Sequence, residues 1–329
     1  MIALTSYQDA LDRLLARLTP VPARVLTPTS ALGCIVAQDV VITQAIPARA
    51  IALRDGYALR ADEIVGASSY APVLLASVPP FIAAGDAVPD DCDCLVVASG
   101  LDLEGPLPQA LVESFPGENL RRAGEDLASG TLILRAGDRL SAMTMPALHA
   151  AEQTHVHVRV PVISLQGDEG PIKAMIAAWL VREGVVLEGA PDFVLKIGAA
   201  QGEIFADQLA LEPGRDITLS IYDGTLMINL PPRADLVVAA WVAFILPALD
   251  QLFGHQRART RLPLAQKIAS RVGVAEMVAL RAEEGRFVPL ALGDLPLQSL
   301  LRATHVAVIA AASEGVGAGD ELEAFPVPA

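Results

Sequence analysis

From Pro161 to Asp250 the chain alternates apolar strand-like segments with Gly- or Pro-rich loops and helix-like segments, and this pattern limits the fold more than any other feature. PVISLQ runs into GDEGP and then IKAMIAAWLVREG; DFVLKIG runs into AAQGE and then IFADQLAL; TLMINLPP runs into a long apolar segment from residue 234 to 251. Apolar strands separated by helices indicate a parallel sheet covered on both faces. Three strand–loop–helix units are therefore expected. Ligands of such sheets sit outside the carboxyl ends of the strands, so GDEG, GAAQG and LPPRAD are expected along one rim.

The flanking segments read differently. SYQDALDRLLARL, residues 6–18, places Leu11, Leu14, Leu15 and Leu18 at helical spacing after a Ser cap. Between residues 34 and 139, CIVAQDVVI, PVLLASV, CLVVASG, ALVESF and TLILRAG are strand-like and separated by Gly, Pro and Asp. A helix at about 141–153 is expected to pack on the N-terminal helix, which makes the β-rich module an insertion in a helical stalk. After FGHQRARTR, a basic segment that reads as an exposed linker, the chain returns to β-structure around a short helical PLQSLLRAT. Gly315, Gly317 and Gly319 lack the strand-to-helix context of a phosphate loop and read as a turn.

Bulk properties exclude several classes. The longest apolar run, Leu236 to Leu249, has fourteen residues bounded by Asp235 and Asp250; that is too short to span a bilayer and suits a buried core helix. The N-terminus lacks a basic-then-apolar signal layout, so a soluble, cytoplasmic protein without membrane attachment is expected. A net charge of -14 and an aromatic content of 4% argue against nucleic acid as a partner. Cys34, Cys92 and Cys94 cannot form a disulfide framework, in keeping with a reducing compartment. Cys92 with Cys94, and His155 with His157, share strand faces but have no further ligands nearby, so they read as strand residues rather than metal sites.

The acidic residues leave two readings open. Asp55, in ALRDGYALRADEI, precedes Gly56 and is either a turn residue or a chemically active carboxylate. Glu125 and Asp126 adjoin Arg121 and Arg122, an arrangement equally suited to solvated surface ion pairs. Asp168 and Glu169 follow a buried strand, where an Asp commonly caps the next helix; Asp207 and Asp216 read as ordinary solvated residues. Taken together, the rim loops offer carboxylates for a hard cation such as Mg2+ and helix N-termini for a phosphate, with Lys173, Lys196, Arg215 and Arg233 as positive charges.

An ordered series of motifs resembles the molybdopterin molybdenumtransferase family, the MoeA type that also forms the E domain of gephyrin. IPARAIALRDGYALRADEI, FIAAGDAVPDDCDCLVV, ENLRRAGEDLASGTLILRAGDRLSA, VISLQGDEG, LEPGRD, LQSLLRATHVAVI and GVGAGDELEAFPV each resemble a family segment in the family's order, over nearly the whole chain. The resemblance implies an α/β and β multidomain protein: a helical stalk (1–40 and 140–159), an inserted β module (41–139), a small parallel α/β, molybdopterin-binding-like domain (160–254) and a C-terminal β-barrel-like domain (255–329). It implies a homodimer that handles adenylylated molybdopterin and molybdate with a divalent cation, and that serves molybdoenzymes or other cofactor-biosynthesis proteins. It places Asp55, Asp126 and Asp168 on catalytic acids, with Asp168 as metal ligand. Arg121, Glu125, Gly167, Glu169, Gly198, Arg215 and Pro231 fall on ligand-binding positions, Arg215 standing where a Lys is usual.

Departures from the family pattern accompany these matches. Ala50, Ile51 and Ala52 replace its Asp-Asn-Ser, and Ala84 replaces the Thr of Thr-Gly-Ala. The stretch between Gly184 and Asp192 is too short for an extra strand, acidic turn and helix. Gly-Gly-Val-Ser-x-Gly has become IGAAQG with Ala200 at the Ser, and Leu-Pro-Gly-Asn-Pro has become LPPRA, where Pro232 removes an N–H. Losing one preorganised donor typically costs about 3 kcal/mol of barrier. Three readings follow: a molybdenum-inserting enzyme; a carrier, chaperone or regulator that binds molybdopterin without catalysis; or a scaffold without ligand.

Overall fold

The structure is a computed structural model that describes residues 4–327. It divides into two units, one of Met1–Gln38, Ala136–Ser141 and His155–Ala329, the other of Asp39–Arg135 and Ala142–Thr154. Mixed sheets with few helices make it a multidomain α/β and β protein.

The first unit holds a five-stranded sheet ordered Ile163–Gln166, Phe193–Ile197, Thr225–Leu230, Thr218–Tyr222, Glu203–Ala206. The first three strands are parallel and the last two antiparallel, so the expected parallel sheet is in fact mixed. Phe193 to Leu195 and Leu226 to Leu230 are buried along their lengths, as strands covered on both faces must be. Helix Pro171–Arg182 packs Ile176 and Leu180 onto the sheet's core. Its chain returns to strand 193–197 through a short connector, in which Val186 N–H donates to Pro161 O and Asp192 Oδ2 accepts from Val162 N–H at 2.7 Å.

The long apolar segment forms a twenty-residue helix over Ala234–Phe253; an 18-residue stretch of it has a mean hydropathy of 2.0 and is 83% buried inside the protein. It passes a membrane test by length and composition, but its burial makes it the core helix the bounding Asp residues suggested. Its middle, Trp241–Ile245, is a π-helical turn. Pro247 accounts for this: it has no N–H for the carbonyl of Ala243 four residues earlier, and its ring crowds that carbonyl. The Tyr7 hydroxyl donates to Ala243 O at 3.4 Å and so supplies the missing partner. Burial pushes the Tyr7 hydroxyl pKa up to about 12.

A seven-stranded sheet completes this unit, ordered Thr5–Ser6, Leu209–Glu212, Ala275–Glu283, His305–Ile309, Glu321–Pro326, Thr260–Pro263, with Arg286–Leu292 paired to Ala275–Glu283. The helix expected over IFADQLAL is absent. The segment splits into strands Glu203–Ala206 and Leu209–Glu212, which join different sheets across a turn at Gln208 with φ +45°. Leu209 and Leu211 are fully buried between strand neighbours, and such tertiary pairing overrides the local preference of an eight-residue segment.

Ser6 Oγ accepts from Asp9 N–H at the start of helix Tyr7–Leu15, as the cap signal predicted. Its buried Ala10 and Leu14 pack on the 246–253 end of the core helix. The helix expected to be its partner forms only over Met145–Ala150, with Leu148 as its one buried residue, and belongs to the second unit. A helix this short offers too little apolar surface to be a stalk partner.

The second unit is built of short antiparallel pairs. Ile51–Ala52 pairs with Leu120–Arg121, Val40–Val41 with Leu132–Leu134, and Gly56–Leu59 lies between Phe81–Ile82 and Cys94–Val96. Two small cores support them, one around Leu59, Ile64 and Val96, the other around Ala52, Val88, Leu95 and Leu120. Gly56 is no turn residue: it opens a strand, and a Cβ there would lie 2.3 Å from Leu95 Cδ2 and 2.7 Å from Val96 O. Cys94 is buried as expected; its Sγ donates to Leu59 O, and burial raises its pKa to about 11.

Candidate functional site

The ends of the three parallel strands place the rim loops side by side. Register pairs Gln166 with Lys196 and Ile197 with Leu230, and Gly198 N–H donates to Leu230 O at 2.9 Å. Gly167 turns at φ +134° so close to its neighbour that a Cβ would stand 2.8 Å from Ile197 Cβ. Gly167, Asp168, Glu169, Gly198 and Pro231 therefore share one edge of the sheet.

The first loop is braced from below. Lys173, one turn into helix 171–182, donates to Gly167 O at 3.2 Å and forms an ion pair with Glu169. The N-cap is Gly170 with no side-chain cap, so Asp168 is not the helix cap that its position suggested. Its carboxylate is exposed, and among the described residues nothing bonds to it.

The second loop, Gly198–Gly202, leads into strand Glu203–Ala206, so no helix N-terminus faces a ligand here. Buried polar groups hold it instead: Ser220 Oγ donates to Gln201 O at 2.6 Å, and Asn229 Nδ2 donates to Ser220 Oγ at 2.9 Å and Thr218 O at 3.2 Å. Ser220 and Asn229, fully buried or nearly so, escaped the sequence reading. The one available signal was a polar residue at a buried position in each of the strands TLSIY and TLMINL.

At the third loop, Arg233 N–H donates to Pro231 O at 2.8 Å, and its guanidinium pairs with Asp235 in the first turn of the core helix. Arg215 is engaged elsewhere: its side chain pairs with Glu212 at 2.8 Å, in the turn leaving the seven-stranded sheet.

The remaining predicted residues lie in the second unit. Asp55 Oδ1 accepts from Ala84 N–H at 2.8 Å, which fixes the loop whose Gly85 N–H donates to Ala52 O. Arg121, opposite Ile51 in the strand pair, forms a 2.6 Å ion pair with Asp126. Glu125 Oε2 accepts from Arg122 N–H at 2.7 Å. Asp55 thus has a structural bond and remains exposed, which accommodates both of its readings.

No three of His, Cys, Asp or Glu converge to hold a metal among the described residues. At the rim Glu169 is committed to Lys173 and Asp168 stands alone, so these residues do not fit a resident Mg2+. The basic segment FGHQRARTR, residues 253–261, is not a free linker either. Arg257 pairs with Asp250 and Glu183, Arg259 lies 4.7 Å over the Phe325 ring, and Arg261 pairs with Glu321 and Glu323. It borders a cavity of about 890 Å3 with Tyr7, Leu11, Leu15 and Gln251, which none of the predicted site residues line.

A braced rim on a mixed sheet, a second all-β sheet and a separate module of short hairpins define the class of architecture. Comparisons with known proteins narrow it. The moeA protein from Pyrococcus horikoshii OT3 superposes with a TM-score of 0.69 at 22% identity, covering 99% of this chain and 100% of that one. A molybdenum cofactor biosynthesis protein from Pyrococcus furiosus gives 0.59 at 19% identity, covering 99% and 100%. Residues 5–151 match the family described as the MoeA N-terminal region, domains I and II.

Among curated relatives, gephyrin of Dictyostelium discoideum is 26% identical over 170 residues, 43% of this chain and 24% of that protein. Molybdopterin molybdenumtransferase 2 of Mycobacterium tuberculosis is 31% identical over 129 residues, 33% of this chain and 31% of that one, so the chain spans a third or less of these two. Molybdopterin molybdenumtransferase of Synechococcus elongatus is 24% identical over 402 positions, 97% of this chain and 98% of that protein. That alignment is longer than the 329 residues here, so the relative carries segments this chain lacks. The chain thus shares the fold of these moeA proteins, and its residues 5–151 are similar to the MoeA N-terminal region.

Proposed function

We propose that this protein acts in molybdenum cofactor biosynthesis as a molybdopterin molybdenumtransferase, taking adenylylated molybdopterin and molybdate as substrates. The observation that carries this reading is similarity to a protein of that name from end to end, over 97% of the chain. The fold is assigned to four domains, working in the cytoplasm as a homodimer that passes its product to molybdoenzymes or other cofactor-biosynthesis proteins.

The rim supports a division of labour. N–H groups at the start of helix 171–182 receive substrate phosphate oxygens, favoured by the helix dipole. Lys173 holds Gly167 and Glu169 so that the loop is formed before substrate arrives. Asp168, exposed and unpartnered, orients the attacking water or takes its proton. Asp55, Asp126, Arg121 and Arg215 are assigned to substrate binding on the strength of the motifs that carry them. Among the described residues the rim groups no ligands for Mg2+.

One assay tests the proposal: purified protein with adenylylated molybdopterin and molybdate, following AMP release. Release that Asp168→Asn reduces at least a hundred-fold, with unchanged thermal unfolding, supports the transferase reading. Tight molybdopterin binding without AMP release makes the protein a carrier instead, the outcome to which the helix-less second loop would contribute.

A further inference from the structure

We propose that Phe81 and Asp55, both in the second unit, form a subsite for a planar heterocycle with a 2-amino-4-oxo edge, the pattern that pterins and guanines share. The subsite rests on the transferase reading and deepens it, since it assigns the ring end of the substrate to named side chains. Antiparallel pairing sets Gly56 opposite Ile82 and Tyr57 opposite Phe81. Ile82 packs on the core around Ala52 and Leu95, and Gly56 leaves its place on that face to Leu95. Alternation sends Tyr57 and Phe81 to the other face. There Tyr57 packs on the core around Leu59 and Val96, whereas Phe81 lies outside that core and is 56% exposed.

A ring held in the open is the first half of the subsite. Tyr57 meets Phe81 edge to face, with 5.4 Å between centroids and 74° between planes. Tyr70, Phe81, Phe115 and Tyr222 are the exposed aromatic side chains among the described residues, and Phe81 alone of these is braced by a second ring. Only 4% of the chain is aromatic, so the brace is not a product of crowding. A ring whose plane is already fixed stacks a flat ligand at little further cost in side-chain ordering.

The same strand pair carries the polar half. One step past the Gly56–Ile82 pair, Asp55 is the diagonal neighbour of Phe81, and its Oδ1 accepts from Ala84 N–H at 2.8 Å. Its other carboxylate oxygen has no partner among the described residues, and the side chain is exposed. A carboxylate offers about four lone-pair sites, of which Ala84 takes one. Diagonal neighbours stand about 7–8 Å apart, a span that a fused two-ring heterocycle covers, so a ring stacked on Phe81 turns its edge to Asp55. On a 2-amino-4-oxo edge a ring N–H and an amino group donate side by side, the arrangement that a carboxylate receives from a guanidinium. Adenine and 2,4-dioxo rings stack equally well but present an acceptor beside the donor. Phe81 therefore supplies affinity and Asp55 supplies choice.

Saturation-transfer NMR on the full protein with free 6-hydroxymethylpterin provides the test, with lumazine (the 2,4-dioxo analogue), guanosine and adenosine as comparison ligands. The pterin should bind saturably and about five-fold more tightly than lumazine or adenosine. Phe81→Ala should weaken pterin and lumazine alike, by about ten-fold. Asp55→Asn keeps an acceptor for Ala84 N–H and replaces the free oxygen by a donor; it should erase the preference for pterin over lumazine without altering thermal unfolding. Guanosine presents the same edge, and whether it or the pterin binds more tightly identifies the source of the ring. Absence of saturable pterin binding, binding indifferent to Phe81→Ala, or a pterin preference that survives Asp55→Asn overturns the proposal. None of these ligands carries a phosphate, so the two readings fail separately. Pterin binding at Phe81 without AMP release from the adenylylated substrate removes only the transferase reading, and AMP release with no pterin binding removes only the subsite.

Discussion

The strands 163–166 and 225–230 each deliver the chain to a helix, whereas strand 193–197, between them in the sheet, delivers it to another strand. The outer loops are thus ordered by helices beginning directly behind them. The middle loop has no helix and is ordered from beneath by Ser220 and Asn229, two side chains buried in the sheet. One rim is held by two kinds of support, and they fail differently. A helix-backed loop relies on exposed contacts that are individually weak. A loop tied to buried polar groups relies on bonds whose loss strands a partner away from water.

This contrast can be broken most severely at Gly202. A Cβ there would lie 2.2 Å from Ile221 O, at a backbone φ of +82°. Gly202→Ala should lower stability by about 3 kcal/mol in urea unfolding, combining clash with left-handed strain. A loss under about 1 kcal/mol would mean that the middle loop is not clamped to its neighbour.

The third strand's helix has a support that depends on pH. The Tyr7 hydroxyl, raised by burial from 10.0 to about 12, is neutral in the folded protein where the unfolded chain is already ionised. Its contribution is therefore complete below pH 10 and is lost as pH rises through 12. The stability difference between wild type and Tyr7→Phe should shrink across that window by about 2 kcal/mol. A constant difference from pH 9 to 12 would show that Tyr7 does not hold the π-turn carbonyl in the folded state.

Asn229→Ala should cost about 2 kcal/mol, because it leaves Ser220 Oγ and Thr218 O short of a donor in the core. It should also speed amide exchange at residues 198–202 and leave 167–170 unchanged; equal acceleration of both loops would merge the two kinds of support. The smallest effect is expected of Lys173→Met, below about 1 kcal/mol, with faster exchange confined to 167–170.

Much of this molecule is legible in its residues. Long buried strands announce themselves as apolar runs, and the helix expected over 234–251 forms over 234–253, running past Asp250 to a left-handed Gly254. The N-terminal helix starts at its Ser6 cap. That the loops at Gly167, Gly198 and Pro231 share an edge was legible because loops following parallel strands of one sheet must do so. Harder to see was IFADQLAL, whose two halves are claimed by two sheets formed from distant sequence. Ser220 and Asn229 were also hidden, since nothing local distinguishes a polar side chain that faces a loop's carbonyl from one that faces solvent.

The sequence by itself determined the apolar periodicities, the caps and the glycines where backbones nearly touch, and through its ordered motifs a family resemblance. Those are local properties, set by side-chain size, φ preference and hydrogen bonding within a few residues. Only the tertiary structure decided that the middle crossover would be β rather than helical, that a basic segment would be folded into ion pairs, and that Ser220 and Asn229 would be buried beneath the middle loop. The pairing of Leu211 with Ala275 and of Arg257 with Glu183 joins residues more than 60 apart in the chain, and such pairing outweighs what neighbouring residues prefer.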